Sequence, residues 1–362
     1  MTDLMAFGQQ QANQDEKNIW LSAGKPQFAV PTCDDGLLWE TWMSMLHFPT
    51  LTVADELGLF PLIAEAPKTA FQVRESLYLS ERATEALLGV MTSLGYLVQQ
   101  NGKFNLTQVS RNFLLPQSPC YWGGMLKLMA NNPLSHSVLL EALTNDRSSV
   151  YQEQDVWEAH EVEVEKAKLF TGAMQSMTMP GALGLANHGN FTGIKRLLDV
   201  GGGSAAVSVA LAQRYPQMQC TILDLPVVCE IASSYISKAG LSNRIDTYSA
   251  NFFTDAFPTN YDAILFSNIF HDWGYEKCQH LAKSSFEALP KGGRIYLHEM
   301  LLNDTKDAPI AATSYSMCMI WWTQGKQYTA SEVNQLLQEV GFVDISITST
   351  HSYFSLVCAT KP

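Results

Sequence analysis

Apolar positions in this chain change their period once, near its middle. In the first half they recur at helical spacing. Trp39, Trp42, Met43, Leu46 and Phe48 form a stripe that stops before Pro49, and Val53, Leu57 and Phe60 form another that Pro61 should interrupt. Thr69–Leu77 predicts a short helix. Ser80 can cap the next, whose stripe is Ala83, Leu87, Val90, Met91 and Leu94 and which Gly95 ends. From Tyr96 to Leu106 two short extended runs flank Asn101-Gly102, the pattern of a β-hairpin. Two helices followed by a two-stranded wing make a winged-helix plan. Residues 121–190 carry more helix, including Trp157 to Leu185. Its Phe170, Met174, Met177 and Met179 read as core or as the wall of a ligand pocket.

From Lys195 short apolar runs alternate with helices. Strands are predicted at Arg196–Val200, Gln219–Leu223, Arg244–Tyr248, Tyr261–Phe266, Arg294–Glu299, Val343–Thr348 and Tyr353–Ala359. Helices are predicted at Ser204–Tyr215, Val227–Ala239, Lys277–Leu289 and Ala330–Val340. This alternation implies an α/β fold, an open and mostly parallel seven-stranded sheet with helices on both faces. The last two strands should form an antiparallel hairpin at one end. Four segments follow: an arm (1–30), a wing-bearing helical domain (31–120), a helical linker (121–190) and the sheet domain (191–362).

Composition removes several classes of function. Of 362 residues 46% are hydrophobic and 16% charged, low against a usual value of about 25%, so a disordered tail protein is excluded. Net charge is −12, and no run of Lys or Arg exceeds a pair. The wing-side helix shows Glu81, Arg82 and Glu85, the wrong sign for a DNA reader, so neither nucleic acid nor anionic membrane is an expected partner. Seven scattered cysteines without a C-x-x-C pair suggest neither a disulfide framework nor a metal site. The polar start lacks the apolar stretch of a signal peptide and no run of about 20 apolar residues occurs, so the expected compartment is the cytoplasm.

The chemistry gathers where strands should end. Asp199-Val-Gly201-Gly202-Gly203 forms a glycine turn between strand and helix, where backbone can approach a nucleotide closely. A pyrophosphate would be repelled by Asp199, whereas a cation such as the ammonium and sulfonium of S-adenosylmethionine would be attracted. Asp224 ends the next strand 21 residues after Gly203, placed to accept hydrogen bonds from ribose hydroxyls; its competing reading is an N-cap in the Asp224-Leu225-Pro226 turn. Asn251 and Phe252 follow the third strand, where an adenine edge and face would lie. His271, with Asp272 beside it, follows the fourth strand at the working edge of such a sheet, and Glu299 ends the fifth, able to fix the imidazole tautomer. His280 and His298 lack that placement and read as structural.

Taken with Pro290-Lys-Gly-Gly-Arg294 and Gly325-Lys-Gln-Tyr-Thr329, these motifs resemble the S-adenosylmethionine-dependent O-methyltransferases of the caffeic-acid and hydroxyindole type. The resemblance runs from about residue 37 to the end. It implies a Rossmann-like catalytic domain and an N-terminal winged-helix-like domain that forms a homodimer. It further implies that Asp199, Gly201 and Gly203 hold the methionine part of the cofactor, Asp224 and Leu225 the ribose, and Asn251 and Phe252 the adenine. Ser267, Phe170 and Thr178 complete the cofactor set. His271 matches the general base, with Glu299, Asp272 and Gln327 around it. Met174, Met317, Cys318, Trp321 and Trp322 fall where the aromatic acceptor binds.

Three positions depart from the family pattern. Ala205 stands for a glycine, a mild steric change, and Asn251 for an aspartate. Gln327 replaces a carboxylate, which should lower the His271 pKa and loosen the base. The expected reaction passes a methyl from S-adenosylmethionine to a hydroxyl of a small aromatic compound, leaving S-adenosylhomocysteine, with no metal. Transfer to N or C, a non-methylating reaction on the same cofactor, and a non-enzymatic regulator remain as alternatives.

Overall fold

The structure, a computed structural model, describes residues 31–132, 134–148 and 164–362. The arm expected over 1–30 and the start of the helix expected from Trp157 lie outside the described residues. The described residues fall into two compact units, divided between Thr50 and Leu51. In the first, helix α1 (Gly36–Ser44) exposes Leu37, Leu38, Trp39 and Trp42. Trp39 is tied back to the Asp35 carboxylate, to which its Nε1 donates at 2.9 Å.

Helix α2 (His47–Glu56) and helix α3 (Leu59–Glu65) correct the reading of both prolines. Pro49 and Pro61 lie in the first turns of these helices rather than at breaks. There a missing N–H costs nothing, because no carbonyl awaits it. In α4 (Ala70–Leu77) Thr69 and Gln72 form a capping box, and α5 (Glu81–Ser93) starts on the Ser80 cap, its hydroxyl accepting from Ala83 N at 3.2 Å. Strands β1 (Leu97–Gln100) and β2 (Lys103–Leu106) pair across Asn101 (φ 50) and Gly102 (φ 73). Two successive left-handed residues suit the right-handed twist of a hairpin. Leu59, Phe60, Leu88, Met91, Leu97 and Phe104 bury this region's core.

Short helices α6 (Gln108–Phe113), α7 (Gly123–Ala130) and α8 (His136–Asn145) lead to α9 (Val164–His188), which carries Pro180 in its interior and runs past the expected end at Leu185. Then β3 (Arg196–Val200), α10 (Ala206–Arg214), β4 (Gln219–Asp224), α11 (Pro226–Lys238), β5 (Ile245–Ser249) and β6 (Ala263–Ser267) alternate. They are followed by α12 (Tyr275–Ala288), β7 (Arg294–Met300), α13 (Ile310–Trp322), α14 (Ala330–Val340), β8 (Val343–His351) and β9 (Phe354–Thr360). The sheet order is β5-β4-β3-β6-β7-β9-β8, parallel through β7, with β9 antiparallel to both its neighbours.

Side-chain alternation divides this sheet between two cores. Along β6, Ile264 and Phe266 join α12 and α14 on one face, whereas Ala263 and Leu265 join α9, α10 and α11 on the other. A one-residue slip would exchange the two sets, so the register is firmly specified. Central strand β3 has β4 on one side and β6 on the other, and chain order reverses there. Such a switch point opens a crevice at the carboxyl ends of the strands. Helix α13 was not predicted; it is apolar nearly all round and offers no one-sided stripe. Among the described residues no helix is long and apolar enough to cross a membrane, and no cluster of His, Cys, Asp and Glu is arranged to hold a metal.

Candidate active site

A cavity of about 320 Å³ opens at this switch point. Its floor is the glycine turn after β3. Gly201 (φ 68) and Gly203 (φ 55) occupy the left-handed region, and a Cβ on Gly201 would collide with the Ile269 side chain. Ala205 also lies in that region, at φ 65, and is fully buried at the start of α10. The substitution expected to be mildly steric is therefore conformational, holding strain of about 1–2 kcal/mol that a glycine would not carry.

Two carboxylates face the cavity beside this turn. Asp199 is 1% exposed and accepts from Ser208 Oγ at 2.7 Å. Asp224 accepts from Gly203 N at 3.0 Å through one oxygen and from Leu225 N at 2.8 Å through the other. It thus clamps the glycine turn to β4, while Leu225 is the N-cap residue of α11. Burial raises both acids to about 6; hydrogen bonds counter it in part, and for Asp199 the charge of Asp224 adds to it. The described lining contains Asp199, Asp224 and Asp272 but no Lys or Arg. A cationic ligand is what such a lining lacks.

Beyond β5, Asn251 and Phe252 line the same cavity. Asn251 Oδ1 accepts from Phe253 N at 2.9 Å, and the other polar atom of the side chain is the amide nitrogen, a donor. Phe252 stacks edge-on to Phe253, with centroids 4.8 Å apart.

His271 sits in a short 3-10 turn, Phe270–Asp272, after β6 and is 3% exposed. Its Nδ1 lies 2.7 Å from Glu299 Oε2 and its Nε2 3.6 Å from Asp272 Oδ1. Glu299 is itself immobilised, its Oε1 accepting from Ile269 N at 3.0 Å and Phe270 N at 2.9 Å. Burial opposes a charged imidazole, but the charges of Glu299 and Asp272 and the hydrogen bond that Nδ1 donates to Glu299 outweigh it, raising His271 to about 9. Two carboxylates therefore flank the ring, and the net shift is upward from the ordinary value. Gln327 is buried, and neither its amide nitrogen nor its amide oxygen finds a hydrogen-bond partner among the described residues.

Above the histidine, helix faces close the cavity. Phe170, Met174 and Thr178 come from one face of α9, and Tyr315, Cys318, Met319 and Trp322 from one face of α13. Phe170 and Trp322 have ring centroids 6.1 Å apart. Among the other nominated residues, Leu225, Ser267 and Asp272 line the cavity. Met317, Trp321, Glu299 and Gln327 do not; Met317 is 38% exposed and Trp321 packs into the interior. Tyr315, 5.1 Å from the His271 ring, escaped the sequence reading because it lies on the unpredicted helix α13. Met125, Leu128 and Met129 of α7 were also missed. Their signal, a Met-Leu-Met stripe, was present but far away in sequence.

A family model for the O-methyltransferase domain matches residues 137–343, more than half of the chain. The chain belongs to this family. A 3-hydroxy-5-methyl-1-naphthoate 3-O-methyltransferase of Streptomyces sahachiroi is 33% identical to this methyltransferase over 330 residues, covering 90% of this chain and 93% of that one. An L-tyrosine C(3)-methyltransferase of Streptomyces lavendulae is 29% identical over 338 residues, covering 89% and 90%. The crystal structure of human N-acetylserotonin methyltransferase in complex with S-adenosylmethionine superimposes with a TM-score of 0.78 at 26% identity, covering 92% of this chain and 99% of that one. The protein is an S-adenosylmethionine-dependent O-methyltransferase. Its cavity fits that cofactor on its own evidence: an open glycine cradle, and two buried aspartates, Asp199 and Asp224, with no Lys or Arg in the described lining.

Proposed function

We propose that this methyltransferase acts on a hydroxyl of a small planar aromatic compound, with His271 as the general base. The observation carrying the proposal is one imidazole, anchored at Nδ1 by Glu299, in a cavity that joins an acidic floor to a wall of Met and aromatic side chains. S-adenosylmethionine, when bound, supplies an electrophilic methyl group on a sulfonium. Asp199 and the turn Gly201–Gly203 would hold its methionine part, with Phe170, Thr178 and Ser267 beside it. Asp224 and Leu225 would hold the ribose, and Phe252 would cover the adenine. Asn251 presents a donor there, which suits a ring nitrogen rather than the adenine amino group.

Met174, Cys318 and Trp322 form the acceptor wall, to which the structure adds Tyr315. Apolar walls of this kind take flat ligands, and water is excluded as the acceptor enters. His271 receives the hydroxyl proton at Nε2, and Glu299 and Asp272 stabilise the resulting imidazolium. A base near 9 is well matched to a phenol, whose pKa is about 10. The cost is that most of the imidazole is already protonated at neutral pH. Alignment in a closed site can offset this, since positioning is worth roughly 7–11 kcal/mol against the 10²–10⁴-fold of general-base help.

The exposed apolar run from Leu37 to Phe48 supports pairing with a second copy through an N-terminal module of winged-helix type. Seven free thiols suit the reducing cytoplasm. A carbon acceptor is the second reading, favoured by the L-tyrosine C(3)-methyltransferase relative, because removing a phenol proton also activates the adjacent ring carbon. Incubation with methyl-labelled S-adenosylmethionine and a panel of phenols, naphthols and hydroxyindoles, followed by mass analysis, tests the reading. O-methyl products are expected. Ring-methylated products would establish the second reading, and no labelled product from any hydroxyl compound would overturn both.

A further inference from the structure

His298, which the sequence reading set aside as structural, stands behind the cofactor cavity in a chain of hydrogen bonds with a single possible direction. It is 1% exposed and sits beside Ser267 in the register of β6 and β7. Its Nδ1 is 3.1 Å from Ser267 Oγ and its Nε2 3.0 Å from Thr350 Oγ1, while its ring stacks on Phe354 at 5.0 Å. Thr350 Oγ1 also lies 3.1 Å from the backbone carbonyl of Phe354.

The carbonyl has no hydrogen to give, so the Thr350 hydroxyl donates to it. Thr350 then has only a lone pair for His298, and the proton between them belongs to His298 Nε2. Burial and the neighbouring His351 push the imidazole down to about 3, so it is neutral at any working pH. A neutral ring protonated at Nε2 has a bare Nδ1. The Ser267 hydroxyl must donate to that atom, which leaves only its lone pairs for the cavity it lines.

We propose that His298 is a positioning residue that holds Ser267 as an acceptor facing the cavity, and that the group Ser267 accepts from is the α-ammonium of the cofactor's methionine part. This rests on the cofactor reading above. It assigns to Ser267 the same polarity as Asp199 and gives a function to a histidine that touches no ligand. In the absence of the chain the hydroxyl would be free to rotate and could offer a hydrogen to a cation, which is repulsive.

The test compares S-adenosylhomocysteine, which carries the ammonium, with 5′-methylthioadenosine, which lacks the whole amino-acid part, by calorimetry. Ser267→Ala and His298→Leu should each weaken S-adenosylhomocysteine about tenfold, as for one hydrogen bond to a charged group, and leave methylthioadenosine within about twofold. His298→Asn, which keeps an acceptor near the Nδ1 position, should recover most of the loss. The double variant should bind no worse than Ser267→Ala alone. Equal weakening of both ligands, or unchanged binding of S-adenosylhomocysteine by Ser267→Ala, would overturn the proposal even if His298→Leu does not fold. Failure of the wild-type enzyme to bind either ligand would instead overturn the cofactor reading on which it rests.

Discussion

Two histidines at the carboxyl edge of one sheet, His271 after β6 and His298 in β7, are almost equally buried and titrate in opposite directions. Around His298 stand two hydroxyls, a phenyl ring and, farther off, His351, so desolvation of the charged form goes unopposed and the ring falls to about 3. Around His271 stand Glu299 and Asp272, and the ring rises to about 9 despite the same desolvation. Burial amplifies whichever partner is present; it does not by itself decide the sign. The floor aspartates illustrate a third case. Asp199 and Asp224 are buried without a cation and wait near 6 for one that the ligand must bring.

The largest expected effect separates the two histidines by function. His271→Ala should lose about 10²–10⁴-fold in methyl transfer at neutral pH, with the affinity for S-adenosylhomocysteine, read by calorimetry, within about twofold of wild type. Turnover close to wild type would remove His271 from the base role. Next, Asp224→Asn should weaken S-adenosylhomocysteine roughly 10–100-fold, the range for hydrogen bonds to a charged partner. In the wild type that affinity should increase as pH rises through about 6, because the ligand's α-ammonium and ribose hydroxyls are bound best by ionised Asp199 and Asp224. Calorimetry in two buffers should detect proton release near pH 6 and none near pH 8.

Glu299→Gln sharpens the contrast more gently. Activity depends on neutral imidazole, so wild-type kcat/KM should climb with pH and level off only near 9. With the carboxylate charge removed, the rising limb should move down toward the ordinary imidazole value, while the amide oxygen can still accept from Ile269 N and Phe270 N. A limb that stays in place would assign the shift to Asp272 alone.

The smallest effect is on stability. At His298 the folded chain refuses a proton that the unfolded chain takes up, so stability falls as pH drops from about 6.5 toward 3. His271 acts in the opposite sense: its contribution is complete below about pH 6.5 and is lost as pH rises through 9. Thermal melts should therefore show wild type losing more than His298→Asn between pH 6.5 and 4. Parallel curves would mean that His298 does not resist protonation.

Much of this was readable from residue order alone, and the reason is local. The short apolar runs from Arg196 onward, the Asn101-Gly102 turn and the caps at Thr69 and Ser80 depend on neighbours within a few residues. The glycine turn and the acids at strand ends could be nominated because a strand delivers whatever follows it to one edge. Pro49 and Pro61 were misread because a proline tolerated in a first turn and one that ends a helix look alike until the helix boundary is known. Helix α13 was missed because apolar residues lie on its exposed side as well, Ile310 and Met317 among them, so its period does not show.

The sequence by itself determined the alternation of strand and helix, the chemistry at the ends of the strands and the acidic character of the whole chain. Only the tertiary structure decided what each group meets. It set a second carboxylate, Asp272, beside His271 where Gln327 had seemed a loss, drew Tyr315 and the α7 methionines into the cavity, and left Met317 outside it. It also put Ser267, His298, Thr350 and the Phe354 carbonyl in line. These four come from four strands, β6 to β9, and only Thr350 and Phe354 are close in sequence. A proton's direction along them follows from distances that no local pattern encodes.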